Sequence, residues 1–137
     1  MALEDEKTDA NTTFYWYNSG NITDYSTVTS TGIGAGKTNT ENMIDNGKWG
    51  SYGNKNDRDM WGLVKEGWYI PSKDELTAFA KTFKVTSSNY GNLGLSDCYW
   101  SSSLYDSDNA WGVTFGDDDM GSGSIFDFTY VRLSTTF

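Results

Sequence analysis

The apolar positions of this 137-residue chain change period from one end to the other. A polar, charged opening gives way to Phe14-Tyr15-Trp16-Tyr17, a continuous aromatic run that predicts a short strand. Residues 18–37 are rich in Ser, Thr, Gly and Asn, the composition of strand fragments and turns. Thr38-Asn39-Thr40-Glu41 has capping-box spacing, Met43 and Ile44 follow, and Gly47 supplies a stop, so a short helix is expected there. A second helix is expected over 57–66, with Met60, Trp61 and Val64 on one face and Gly67 ending it. The clearest element spans 72–83. Ser72 is its N-cap, Glu75 stands at the third helical position, and Leu76, Phe79, Ala80 and Phe83 follow at i, i+3, i+4 and i+7. Pro71 fixes the angle at which the chain arrives.

Beyond Val85 the texture turns to period two. Strands are expected at 98–102, 110–115 and 130–134. In the middle one, Trp111, Val113 and Phe115 alternate with Gly112 and Thr114, which predicts one buried and one open face. Helices first and antiparallel strands last is an α+β order. Residues 1–12 are expected to be a flexible segment, and 13–137 a single loop-rich domain.

Composition narrows the chemistry. Aromatics supply 16% of the residues and 15 glycines accompany a single proline, so large rings must build much of the core. Ten basic against nineteen acidic residues give a net charge of −9, which disfavours nucleic acid as a partner. His is absent, removing the usual general base and the commonest metal ligand. One cysteine excludes an internal disulfide and a CxxC redox pair. No apolar run is long enough for membrane insertion, and the first residues lack the basic-then-apolar profile of a secretory signal.

Three motifs invite a chemical reading. Gly32-Ile33-Gly34-Ala35-Gly36-Lys37-Thr38 approaches a phosphate-binding loop, but position 31 is Thr and no apolar strand precedes it, so a plain loop into a helix is expected. Asp117-Asp118-Asp119 lacks the ligand alternation of a calcium loop and reads as an acidic turn between two strands. Cys98 has no His to activate it and abuts a Tyr-Trp strand, which predicts an inert thiol. Paired carboxylates for glycoside chemistry find no defined pair among the many Asp residues. No cofactor, no metal and no enzymatic activity are expected.

The segment 103–129 is unusual: it holds six Asp and no Lys, Arg or Glu, with Tyr105, Ile125, Phe126 and Phe128 set among Ser, Gly and Asp. Composition alone fits two readings equally: polar loops with a few rings turned inward, or a recognition surface of rigid aromatics on such scaffolding. Gly34-Ala35-Gly36-Lys37-Thr38-Asn39-Thr40, then Gly67-Trp68-Tyr69-Ile70-Pro71-Ser72-Lys73-Asp74-Glu75-Leu76, then Tyr99-Trp100-Ser101-Ser102-Ser103 with Ala110-Trp111-Gly112-Val113-Thr114-Phe115 and Val131-Arg132 occur in this order. Together they resemble bacterial and viral C-type-lectin-like domains, the broad group that contains the formylglycine-generating enzyme. Within it, the tail looks most like the variable proteins of diversity-generating retroelements.

The resemblance implies a C-type lectin fold and a non-enzymatic ligand- or receptor-binding protein. In that family, template adenines are randomised, so AAC and AAT codons can yield Tyr, Ser, Asp, Thr, Gly, Ile or Phe, among others, but not Lys, Glu, Gln, Trp or Met. Only Trp111 and Met120 within 103–129 fall outside the reachable set. The catalytic cysteine pair of the formylglycine-generating enzyme and the sugar-binding signatures of calcium-dependent lectins are both missing. The resemblance further implies a ligand-facing variable region at about 99–132, a protein or cell-surface ligand, and a place on a virion or cell surface. Trp100, Trp111, Val113, Phe115 and Val131 are expected to form the scaffold. Tyr105, Asp106, Asp108, Gly112, Thr114, Asp117, Asp118, Asp119, Ile125, Phe126, Asp127 and Phe128 are expected to face the partner as one patch. The alternative is a structural module of the same fold, in a secreted or cell-surface protein, without a diversified site.

Overall fold

The computed structural model describes residue 5 and residues 29–45, 67–106, 109–117, 119–124 and 129–135. The strand expected at 14–17, the fragments of 18–28, the Gly47 stop and the helix at 57–66 lie outside these residues. The described elements are short helices and two small antiparallel sheets, an α+β architecture.

Helix α2, Lys73–Thr82, forms where capping and periodicity coincide. The Ser72 hydroxyl accepts the Glu75 N–H at 3.3 Å, and Glu75 Oε1 accepts the Ser72 N–H at 3.0 Å. That closed capping box satisfies two otherwise orphaned donors. Leu76 is buried in a cluster with Leu95, Tyr99, Val113 and Phe115, and Phe79 and Ala80 pack against it. Phe83 departs from the expected stripe and is 59% exposed. It is the C-cap, past the last helical residue, so its ring leaves the buried face and lies tilted on Phe79 at 4.8 Å between centroids.

Helix α1, Ala35–Asp45, starts ahead of the cap expected at Thr38. Thr38 to Glu41 are helix interior, and the polar side chains there serve other ends. The Thr40 hydroxyl donates to the Gly36 carbonyl at 2.8 Å and accepts the Ile70 N–H at 3.0 Å. Asn39, also buried, donates to the Ser30 carbonyl at 2.7 Å. Tertiary contacts, not the helix end, absorb these groups.

Strand β1, Trp68–Tyr69, pairs with the last described strand, β5, Ser134–Thr135. The larger sheet runs in the order β2 (Cys98–Leu104), β3 (Asn109–Thr114), β4 (Asp119–Ser124), all antiparallel. Of the strand expected at 130–134, only the ends pair: Tyr130 makes a single parallel bridge to Tyr99, and Ser134 belongs to β5. The register sets Tyr99 opposite Val113 and Trp100 opposite Gly112, then slips before Leu104 meets Ala110.

Both faces of β2 are covered: Tyr99 joins the α2 cluster, and Trp100 is buried on the other side. The two-faced pattern expected for β3 therefore fails in part. Val113 and Phe115 are buried as expected, as are Trp100 and Val131. Trp111, however, is half-buried like Gly112 and Thr114, while Ala110 is fully buried. The irregular register and the packing of Trp100 on the Gly112 side account for the difference.

Candidate functional site

The hairpin β2–β3 is rooted in a buried polar seam. Ser101, Ser102 and Ser103 are all fully buried, which costs free energy unless their hydroxyls are paired. Ser101 Oγ donates to the Trp111 carbonyl at 2.7 Å across the hairpin. Ser103 Oγ donates to the Ser30 carbonyl at 2.7 Å and accepts the Lys73 N–H at 3.1 Å. The Ser102 N–H donates to the Pro71 carbonyl at 2.8 Å. One tripeptide thus ties β2 to the loop before α1, to the start of α2 and to β3. Hydroxyls do here what aliphatic side chains do elsewhere in a core, with the added demand of direction.

Where a phosphate-like anion would sit, the chain places its own carboxylate. Glu75 Oε1 accepts the Gly36 N–H at 2.8 Å and the Ser72 N–H at 3.0 Å, so it serves the first turns of both helices. The Ala35 N–H bonds back to Gly32, and the Lys73 and Asp74 N–H groups go to Ser103 and Thr31. The N–H groups of Ala35, Gly36, Lys73, Asp74 and Glu75, which could recruit an anion, are bonded within the chain. The glycine loop is a packing device: a β-carbon at Gly36 would stand 2.8 Å from Ile70 O and 2.8 Å from Ser72 N.

The exposed chemistry lies at the turn joining β2 to β3. The Tyr105 and Asp106 N–H groups both donate to the Asn109 carbonyl, at 2.9 and 3.2 Å, and Asn109 Nδ2 donates to Asp106 Oδ1 at 2.9 Å. That tight turn pushes Tyr105 outward to 54% exposure. Its ring meets Trp111 edge-on, with centroids 5.1 Å apart and planes at 89°. Lys73 Nζ, at the start of α2, sits 4.0 Å from the Trp111 ring centroid. An exposed phenol, a half-buried indole and an ammonium therefore share one spot, the geometry of an aromatic anchor with a cation–π partner.

The expected contact residues are distributed as follows. Tyr105 is exposed, and Asp106 and Thr114 are half-buried. Asp117 ends the short 3₁₀ turn Phe115–Asp117, and Asp119 opens β4 opposite Thr114. Gly112 and Thr114 point away from Trp111 by strand alternation, so Tyr105 and these two positions lie on opposite faces of the hairpin. At Gly112 a β-carbon would stand 2.8 Å from the Tyr99 carbonyl, leaving no room for a side chain. Asp108, Asp118, Ile125, Phe126, Asp127 and Phe128 lie outside the described residues.

Two participants escaped the sequence pattern. Alternation places Trp111 on the scaffold face, yet its ring takes part in the exposed cluster. Lys73 carries no local signal, since its approach to Trp111 depends on how α2 crosses β3. Cys98 is half-buried, and its thiol is pushed up to about 11, first by burial and then by the neighbouring Asp97. It remains a protonated, poor nucleophile at neutral pH. Among the described residues, no three His, Cys, Asp or Glu side chains gather as metal ligands, and no helix is long and apolar enough to cross a membrane. No family model, curated protein or solved structure matches this chain.

Proposed function

We propose that this is a non-enzymatic ligand-binding domain of C-type lectin fold, whose C-terminal surface is diversified by a retroelement. The observation that carries the reading is the exposed Tyr105 standing edge-on against Trp111 under Lys73, at the tip of a hairpin whose root is buried on both faces. A rigid root with a variable tip is what such a protein needs, because changes at the tip leave the core undisturbed. Aromatic anchors supply most binding energy at protein interfaces, and aspartates at the rim steer a basic partner. Tyr105 and Asp106, with their undescribed neighbours at the tip, are the proposed contact positions; Thr114 pairs with Cys98 and Asp119 with Thr114, at the root end of the hairpin, and they are left out. Gly112 is left out, because nothing larger fits there. The genomic neighbourhood tests the proposal. A reverse transcriptase beside a near-copy of the 3′ coding end, differing only at adenines, supports it. An intact locus with neither leaves a structural module without a diversified site.

A further inference from the structure

At the end of β2 away from Tyr105, a single carboxylate from the opening of the chain is held by three side chains distant in sequence. Asp5 Oδ1 accepts Arg132 Nε at 2.7 Å and the Tyr99 hydroxyl at 2.6 Å, and Asp5 Oδ2 accepts the Ser96 hydroxyl at 2.6 Å. The Arg132 and Asp5 side chains are only 9% and 18% exposed. Each donor is also positioned by a group other than Asp5. Arg132 Nη2 donates to the Gly94 carbonyl at 2.9 Å, and its guanidinium lies 5.8 Å from the Tyr99 ring centroid. The Ser96 N–H donates to the Tyr99 hydroxyl at 2.8 Å. Gly94 holds a left-handed φ of 76°, a conformation that favours glycine, in the turn whose carbonyl meets Arg132.

We propose that Ser96, Tyr99 and Arg132 form a preformed carboxylate-binding pocket, filled in cis by Asp5, whose carboxylate acts as a tethered ligand. A buried guanidinium flanked by two hydroxyl donors is complementary to one carboxylate in charge, donor number and direction. In an ordinary buried ion pair, removal of one partner leaves the other uncompensated and the site collapses. In a preformed pocket the donors persist, and a free carboxylate takes the vacant place. The pocket is independent of the surface around Tyr105.

Formate is the smallest probe of this distinction. Asp5→Gly should lower the melting temperature, and sodium formate should restore most of that loss along a saturating curve, while sodium chloride at equal ionic strength should not. Asp5→Asn keeps the pocket filled with an amide and should show no formate response. Adding Ser96→Ala to Asp5→Gly should weaken the formate effect several-fold. Should Asp5→Gly be unfolded in buffer, tryptophan fluorescence would report formate-driven folding, which the proposal requires there. Equal responses to formate and chloride, or no response to either, would overturn the preformed pocket and leave an ordinary ion pair.

Discussion

A β-carbon at Gly36 would meet the Glu75 carboxylate, the Ile70 carbonyl and the Ser72 N–H together. Two of these are backbone atoms held by α2 and its cap, so neither yields cheaply. Gly36→Ala should therefore destabilise the fold by about 1–3 kcal/mol in chemical denaturation, against near neutrality for an unhindered helix position. Tyr99 supplies a second single-residue test. Burial, and then its hydrogen bond to Asp5, push its hydroxyl up to about 12 from an ordinary 10. The unfolded chain loses this proton first as pH rises, so the stabilisation is complete below pH 10 and is lost on the way to about 12. Tyr99→Phe should flatten that alkaline fall, on the order of 2–3 kcal/mol, in melts taken across the window. Neither residue advertises its role in the sequence. Gly36 looks like part of a ligand loop until Glu75 is seen beside it, and Asp5 stands in a stretch that composition marks as flexible.

Among the elements, α2 was the most legible, because its cap and its stripe are both local. Ser72→Ala removes the cap and should cost about 1 kcal/mol. The stripe divides at its end: Phe79 is half-buried against the cluster, whereas Phe83 stands beyond the last turn. Phe79→Ala should therefore lower the denaturation midpoint clearly, and Phe83→Ser should move it little. Equal losses at the two positions would mean that Phe83 shares the core. Helix α1 starts ahead of the capping box read at Thr38 to Glu41, and Thr40 and Asn39 inside that motif bond to Ile70 and Ser30. Strand β4 went unseen. Asp-Met-Gly-Ser-Gly-Ser has almost no residues of high β propensity, and it pairs with β3 along its whole length. The alternation in β3 was read correctly at Val113, and less so at Trp111 and Ala110, where the shifted register of β2 intervenes.

At the scale of the whole molecule, stability and exposed chemistry are separated along one hairpin. The root of β2 and β3 is fixed by Leu76, Leu95, Tyr99, Val113 and Phe115 on one face, and by the paired hydroxyls of Ser101 and Ser103. The turn at the far end carries Tyr105 and Asp106, whose side chains fill none of that cluster. The motif Tyr-Trp-Ser-Ser-Ser is visible in sequence, but its reason is not: its serines bond to groups between 10 and 73 residues away, on a loop, a helix start or the facing strand. The central claim is that this tip is a surface that tolerates change. Replacing Tyr105 and Asp106 together by Ser, and following the melting transition, tests that most directly. The account predicts a midpoint within about 5 °C of the parent chain. Loss of the cooperative transition would contradict it, because those side chains would then belong to the core.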